Sequence, residues 1–534
     1  MISCGSLPKR KIPLSTVAGN CMSRNGVLAL GAGHVTHSVE AADRPVSPLL
    51  IRRQTQGRIV NFWLVLIVIV GAAIAVADGL TRTPILDQQE SWNGPLEYQP
   101  HLAALLFATG TFPLMIGYVR KARVSLNVGL FLWFVFCTVA YTKDFSYLRW
   151  PGAPLFVTDV VLLVLLASIF SLPRPHYRRT PMAVNLLLLL LLGAGVLAGA
   201  RGFWGRRDTM LVLRDSALVV YPLYLFVGYH LFRSWISIKR LAVWFLLGAA
   251  LASLNAIAWF VVAPGERRFI YYGIYILIAL AGTVVAMASR LLRKRAGWIF
   301  VGTLCLGLML ANARSLFVSL AVLLFMGLFG SRVIRTKIRA AHLVATAVTV
   351  TMLLGTMAFV FLHTEAGRDF AERATEDLAS GVLNSGEDAN WQFRVSAWKE
   401  AWRRFEEYPM AGEGFGIPFT FEPSPLDNDP RPHNTFLTVL YKMGLSGLLP
   451  LLALLLYFFL TALRAVHCHS QKRCVVFLQI AILAQVALCI YGSANLLLES
   501  PFLASLFWVG SGVGLRMSKM LDLERSLREY SYGC

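Results

Sequence analysis

Blocks of about 17–23 residues, predominantly apolar, recur along this 534-residue chain, and most are long enough to cross a ~30 Å hydrocarbon core as a helix, whereas 297–311 and 315–330 are short and could form a re-entrant or tilted pair. The blocks lie near 59–78, 101–119, 125–142, 155–171, 182–199, 211–232, 241–263, 269–289, 297–311, 315–330, 340–362, 434–461, 474–491 and 499–515. The pattern predicts an all-α polytopic membrane bundle of about 12–14 spans and excludes a soluble globular chain. A formal net charge of +21 would suit nucleic acid, but the cations sit between apolar blocks, where they fix orientation instead. Neither nucleic acid nor a metal is expected as a partner. His467, Cys468, His469 and Cys474 crowd one short loop without the separated pairs of a zinc site.

Short-loop lysines and arginines resist translocation. Clusters such as Arg120/Lys121/Arg123, Arg290/Arg293/Lys294/Arg295 and Arg332/Arg335/Lys337/Arg339 occupy every second loop. This phase predicts that both chain ends are cytoplasmic. Residues 1–55 contain no long apolar run and read as a disordered cytoplasmic tail. The long polar loop 363–433 falls on the other side, with 14 acids against 7 bases and no cysteine. Arg201, Arg206, Arg207 and Arg214 break the phase, because all four fall on that far side. Cations placed against the rule point to an anionic ligand, with a structural ion pair as the alternative for Asp215 beside Arg214.

Candidate chemistry gathers in one region. Arg314 ends a short span in ANARSLF, where an unpaired arginine is costly unless it snorkels to the interface. Arg394 and Trp398 open RVSAWKEAWRRF, whose Trp398, Ala401, Trp402 and Phe405 recur at helical spacing and predict an amphipathic surface helix. YPMAGEGFGIP alternates Gly412, Gly414 and Gly416, a spacing that permits tight turns and close backbone approach. His433 and Asn434 then open the next span, with Gly444 and Gly447 below them. Histidine, with an ordinary pKa of ~6.5, suits general-base work near neutral pH. Glu413 and Glu422 are alternatives for orienting the imidazole or for the base itself.

This order of parts resembles the O-antigen ligase and polymerase superfamily over residues ~300–460, on Arg314, Ser315, Arg394, Trp398, Pro409, the three glycines, His433, Asn434, Gly444 and Gly447. The resemblance implies a bacterial inner-membrane glycosyltransferase with its active site at the periplasmic face. It divides the chain into N-terminal spans (56–296), a ligase-like catalytic region (297–465, including the periplasmic loop 363–433) and C-terminal spans with a tail (466–534). The implied donor is an undecaprenyl-diphosphate-linked glycan and the acceptor a hydroxyl of lipid A core or of another glycan, with no metal or cofactor. In that scheme His433, Arg314 and Arg394 are catalytic. Arg201, Arg206, Arg207, Arg214, Trp398, Gly412, Gly414, Gly416 and Asn434 bind substrate among membrane lipids. A ligase is favoured over a polymerase, and a flippase for the same lipid-linked glycans is the rival from another class.

Overall fold

The computed structural model describes residues 48–81, 102–149, 155–171, 180–262, 273–311, 315–316, 318–323, 389–420, 431–469 and 472–532. The chain divides into two units, Met1–Arg58 and Ile59–Cys534. Of the first, only the start of helix α1 (Pro48–Thr81) is described, so most of the expected tail lies outside the described residues.

The second unit is helical, and among the described residues the only extended pairing is a single bridge between Arg149 and Phe156. Its apolar blocks become α1, α2 (Leu102–Ala122), α3 (Leu126–Ser146), α4 (Val157–Ser171) and α5 (Met182–Trp204). The next span is broken into α6 (Thr209–Asp215), α7 (Ala217–Val220), a 3-10 turn at Tyr221–Leu223 and α8 (Tyr224–Leu231). Then come α9 (Trp235–Val262), α10 (Gly273–Ala288) and α11 (Lys294–Ala311). After α12 (Ala389–Glu407) follow α13 (Thr435–Cys468), α14 (Lys472–Gly492) and α15 (Pro501–Tyr532).

Among the described residues nine helices are long and apolar enough to cross a membrane, and α4 and α10 are shorter apolar helices. The expected span at 340–362 and most of 315–330 lie outside the described residues. The all-α membrane bundle read from the sequence is therefore the observed architecture.

A helix satisfies most of its own backbone, which a hydrocarbon solvent demands, and turns one stripe inward. In α5 the leucine run divides cleanly. Leu188 and Leu191 are buried, whereas Leu186, Leu189 and Leu190 are exposed on the outer face, where lipid would sit. Polar side chains inside the bundle bond carbonyls of neighbouring helices. Tyr275 Oη donates to Phe502 O at 2.6 Å, joining α10 to α15, and Gln485 Nε2 donates to Phe507 O at 2.8 Å, joining α14 to α15. Such bonds stabilise membrane bundles by about 0.6 kcal/mol each.

α15 packs closely on α8, where a Cβ on Gly512 would meet Leu225 O at 2.2 Å. α13 packs against α5, α12, α14 and α15 and so stands where the loop-borne residues converge.

Candidate active site

α13 is a helix with a break in its third turn. Gly444 has φ +62 and ψ −160, so the hydrogen-bond ladder opens there and frees amides and carbonyls inside an apolar environment. The loop after α12 takes them up. Leu445 N donates to Pro409 O at 2.8 Å and Ser446 N to Met410 O at 3.0 Å. In the other direction Glu413 N donates to Tyr441 O at 2.7 Å and Gly414 N to Lys442 O at 3.0 Å. The glycine string read from the sequence is thus a plug fitted to a gap in a membrane helix. Gly412, Gly414 and Gly416 all have positive φ, at +65, +98 and +80. A Cβ on Gly412 would stand 2.3 Å from Lys442 C.

The plug is also clasped by two of the arginines that the sequence sets against the orientation rule. Arg201 Nη1 donates to Gly412 O at 2.6 Å, and Arg207 Nη1 donates to Glu413 O at 3.0 Å and Phe415 O at 3.2 Å. Phe415 N donates to Ala198 O at 3.0 Å, on the small-residue face of α5 formed by Ala194, Ala198 and Gly202. Arg201 and Arg207 therefore hold protein carbonyls. Each uses only Nη1 for these bonds, and a guanidinium carries five N–H donors, so the clasp leaves capacity for phosphate oxygens. Arg206 lies between them, exposed, at φ +51.

Below the plug lies a pair that sequence reading placed only in part. Asp215 was weighed as the partner of Arg214, and Arg214 does stand 3.7 Å away. The closer cation is Lys442 of α13, whose Nζ is 2.5 Å from Asp215 Oδ2. Both are 2% exposed, and the same Asp215 oxygen accepts from Gly416 N at 3.0 Å. Asp215 thus ties α6, the plug and α13 together. Lys442 left a signal, as a lone cation two turns into an apolar block, but nothing in the sequence named its partner.

The amphipathic helix expected from Trp398, Ala401, Trp402 and Phe405 is α12. Its buried face is Phe393, Ala397, Ala401 and Arg404, a helical spacing that could have singled out Arg404 as the odd member. Arg404, 7% exposed, donates to Glu400 at 2.7 Å, to Glu413 at 3.1 Å and to the carbonyls of Pro418 and Thr420 at 3.2 and 3.1 Å. Hydrogen bonds from Arg403, with those from Arg404, hold the Glu400 carboxyl down at about 2, so it is ionised throughout the neutral range. Glu413 is accordingly committed to Arg404, and Glu422 lies outside the described residues.

Arg404→Ala leaves these acceptors without their donor, which costs about 2–3 kcal/mol. Limited proteolysis should then cut within 389–420 at least tenfold faster, while Arg403→Ala, at a side chain 56% exposed, behaves as wild type.

α12 also reaches the lead-in to α13. Trp398 Nε1 donates to Pro432 O at 2.8 Å, and the Phe393 ring meets the His433 ring edge-on with centroids 5.9 Å apart. These two contacts flank Arg394 in sequence and bring its stretch of helix to His433. His433 has φ +47, an unusual backbone for a residue with a side chain. Asn434 is the N-cap of α13, and its Oδ1 accepts from Phe436 N and Leu437 N, both at 3.1 Å. Arg314 lies outside the described residues.

One further buried residue is absent from the sequence reading. Glu499, in the loop between α14 and α15, is 7% exposed, and burial raises its carboxyl above the usual range, an effect that the charges of Arg431 and Lys442 oppose.

The described residues define a polytopic all-α membrane protein in which a glycine plug, two clasping arginines and a His-Asn pair, whose asparagine caps α13, converge around α13. Residues 298–452 match the family model described as O-Antigen ligase, and that match supports the O-antigen ligase superfamily for this stretch of the chain. A comparison with curated proteins returned no match.

Proposed function

We propose that this chain moves a glycan from undecaprenyl diphosphate to a sugar hydroxyl at the periplasmic face of a bacterial inner membrane, as an O-antigen ligase with lipid A core as acceptor. The observation that carries the reading is the family match over 298–452, which spans α12, the plug, His433 and the upper half of α13.

The chemistry follows from the residues. As the bond from sugar C1 to the phosphate oxygen breaks, negative charge grows on the diphosphate. Planar guanidinium groups receive it bidentately at fixed geometry. Arg314, Arg394 and the 201–214 arginines supply that clamp, and charge preorganised toward a leaving group lowers the barrier by several kcal/mol. His433 takes the proton of the acceptor hydroxyl, whose oxygen bonds to C1 as the electron pair of the old bond leaves with the phosphate.

A polymerase, which uses a second lipid-linked repeat as acceptor, needs the same clamp and base. Deletion of the gene separates the two: loss of all glycan attachment to lipid A core marks the ligase, and a single repeat still attached marks the polymerase. Arg314→Lys should lower transfer about 100-fold, because an ammonium cannot form the bidentate fork. Near-normal turnover in that variant would identify a snorkelling residue.

A further inference from the structure

Four aromatic residues of α12, Trp391, Trp398, Trp402 and Phe405, fall along one line of the helix, and the three tryptophans span about 16 Å of its axis. The rings pair off. Trp391 meets Trp398 edge-on with centroids 5.9 Å apart, and Trp402 meets Phe405 at 5.2 Å. Phe405 packs inward against Ala397, Ala401, Phe419 and Tyr441. The tryptophans at the two ends do not follow it: Trp391 is 41% exposed and Trp402 50%. Indoles left this far in water on a charged helix offer a binding edge rather than a core.

Two of the rings are fixed by their own N–H. Trp398 Nε1 donates to Pro432 O at 2.8 Å, and Trp402 Nε1 donates to Glu406 Oε1 at 2.8 Å. Carboxylates run along the same side, where Glu400 and Glu407 accept from Arg403 and Glu406 is exposed beside Trp402. A pyranose matches such an edge. Its C–H bonds on one face are drawn to the negative face of an aromatic ring, and its hydroxyls donate to carboxylates at the rim. A bilayer surface matches it less well. An interfacial tryptophan keeps its polar end for water or headgroups, whereas here both N–H groups are spent inside the protein, and the Glu406 carboxylate is repelled by anionic lipid.

The line joins the site on the acceptor's side. Its link runs through Pro432, next to the residue read as the base that takes the acceptor's proton. The diphosphate arginines Arg201 and Arg207 instead meet the protein at the plug, on carbonyls of Gly412, Glu413 and Phe415.

We propose that the edge of α12 formed by Trp391, Trp398 and Trp402 is a subsite for the acceptor glycan, stacking core sugars beyond the one whose hydroxyl reacts. The inference deepens the reading of the chain as a transferase to lipid A core and rests on it. No bond forms or breaks at this edge; it supplies affinity for the acceptor.

The test uses purified full-length protein with a synthetic undecaprenyl-diphosphate-linked disaccharide as donor and lipid A core, or a second donor molecule, as acceptor. Trp402→Ala should raise the KM for intact lipid A core about 10-fold and leave kcat and the donor KM unchanged. Trp402→Phe, which keeps a ring, restores most of the loss. With an acceptor truncated to the reacting sugar on its lipid, wild type and Trp402→Ala should agree within about twofold, because the remote contact is already gone. Core oligosaccharide freed of its lipid should bind the wild type in isothermal titration and bind Trp402→Ala about 10-fold more weakly. Trp391→Ala acts in the same direction and serves if Trp402→Ala does not fold.

A wild-type KM for intact core in both alanine variants overturns the proposal, as does an equal loss on intact and truncated acceptors. A rise in the donor KM alone gives the edge to the donor glycan and overturns the acceptor assignment. An edge that serves the bilayer leaves lipid-free oligosaccharide unbound, which also overturns it. Failure of the wild type to transfer to either acceptor overturns the enzyme reading itself, and this inference with it.

Discussion

Replacing His433 by alanine abolishes glycan transfer, with a loss of at least about 100- to 10,000-fold, the range a positioned general base contributes. Expression and membrane insertion should be unaffected. The backbone at His433 already holds a positive φ, which alanine bears at much the same cost as histidine. The cap on α13 comes from Asn434 and the pin to the following loop from Thr435, so neither depends on the imidazole. His433→Asn sharpens the test. Asparagine tolerates left-handed backbone well and cannot act as the base, so it should be as inactive as alanine while folding at least as well. Full turnover in either variant removes His433 from the mechanism.

Gly412→Ala should be nearly as damaging, although Gly412 holds no chemistry of its own. A side chain at φ +65 costs about 1–2 kcal/mol, and the added carbon meets Lys442 C at 2.3 Å, Lys442 O at 2.4 Å and Met443 N at 2.4 Å. These are backbone atoms of α13, which have no rotamer to give, and forced overpacking adds typically 1–3 kcal/mol. The plug lifts, its bonds to Tyr441, Lys442, Leu445 and Ser446 are strained together, and transfer falls by about 100-fold as measured by initial rate. Gly193→Ala is the matched control. A Cβ there meets nothing within 4 Å, and alanine favours a helix over glycine by up to about 1 kcal/mol.

The spans were legible because a hydrocarbon solvent leaves a chain little choice: an apolar block must be helical to satisfy its backbone. α12 was legible for a similar reason, since Trp398, Ala401 and Phe405 keep helical register. The glycine string could be seen as a turn, but its partner was hidden. Gly412 and Arg201 are 211 residues apart, and nothing local in either says that one clasps the other. The same holds for Asp215 and Lys442, each visible as an expensive charge in an apolar block, with the pairing decided only when α6 and α13 pack around the plug.

The cations that break the orientation rule were read as ligands for an anion. Arg201 and Arg207 also carry the structural duty of holding loop carbonyls, which charge counting could not reveal. Glu499 left the weakest signal of all. It stands at the edge of an apolar block in a short loop, and nothing local in the sequence marks it as buried.

The central claim is that this protein breaks the bond between a glycan and its polyprenyl diphosphate and remakes it at a sugar hydroxyl. Purified full-length protein in vesicles, given the synthetic undecaprenyl-diphosphate-linked disaccharide and lipid A core, tests it directly by following both the glycosylated acceptor and the released undecaprenyl diphosphate. The account predicts that the two products appear together with wild-type protein and that neither appears with His433→Ala. Movement of the intact lipid-linked disaccharide across the vesicle membrane, with no undecaprenyl diphosphate released in the presence of either acceptor, would contradict it and indicate a transporter.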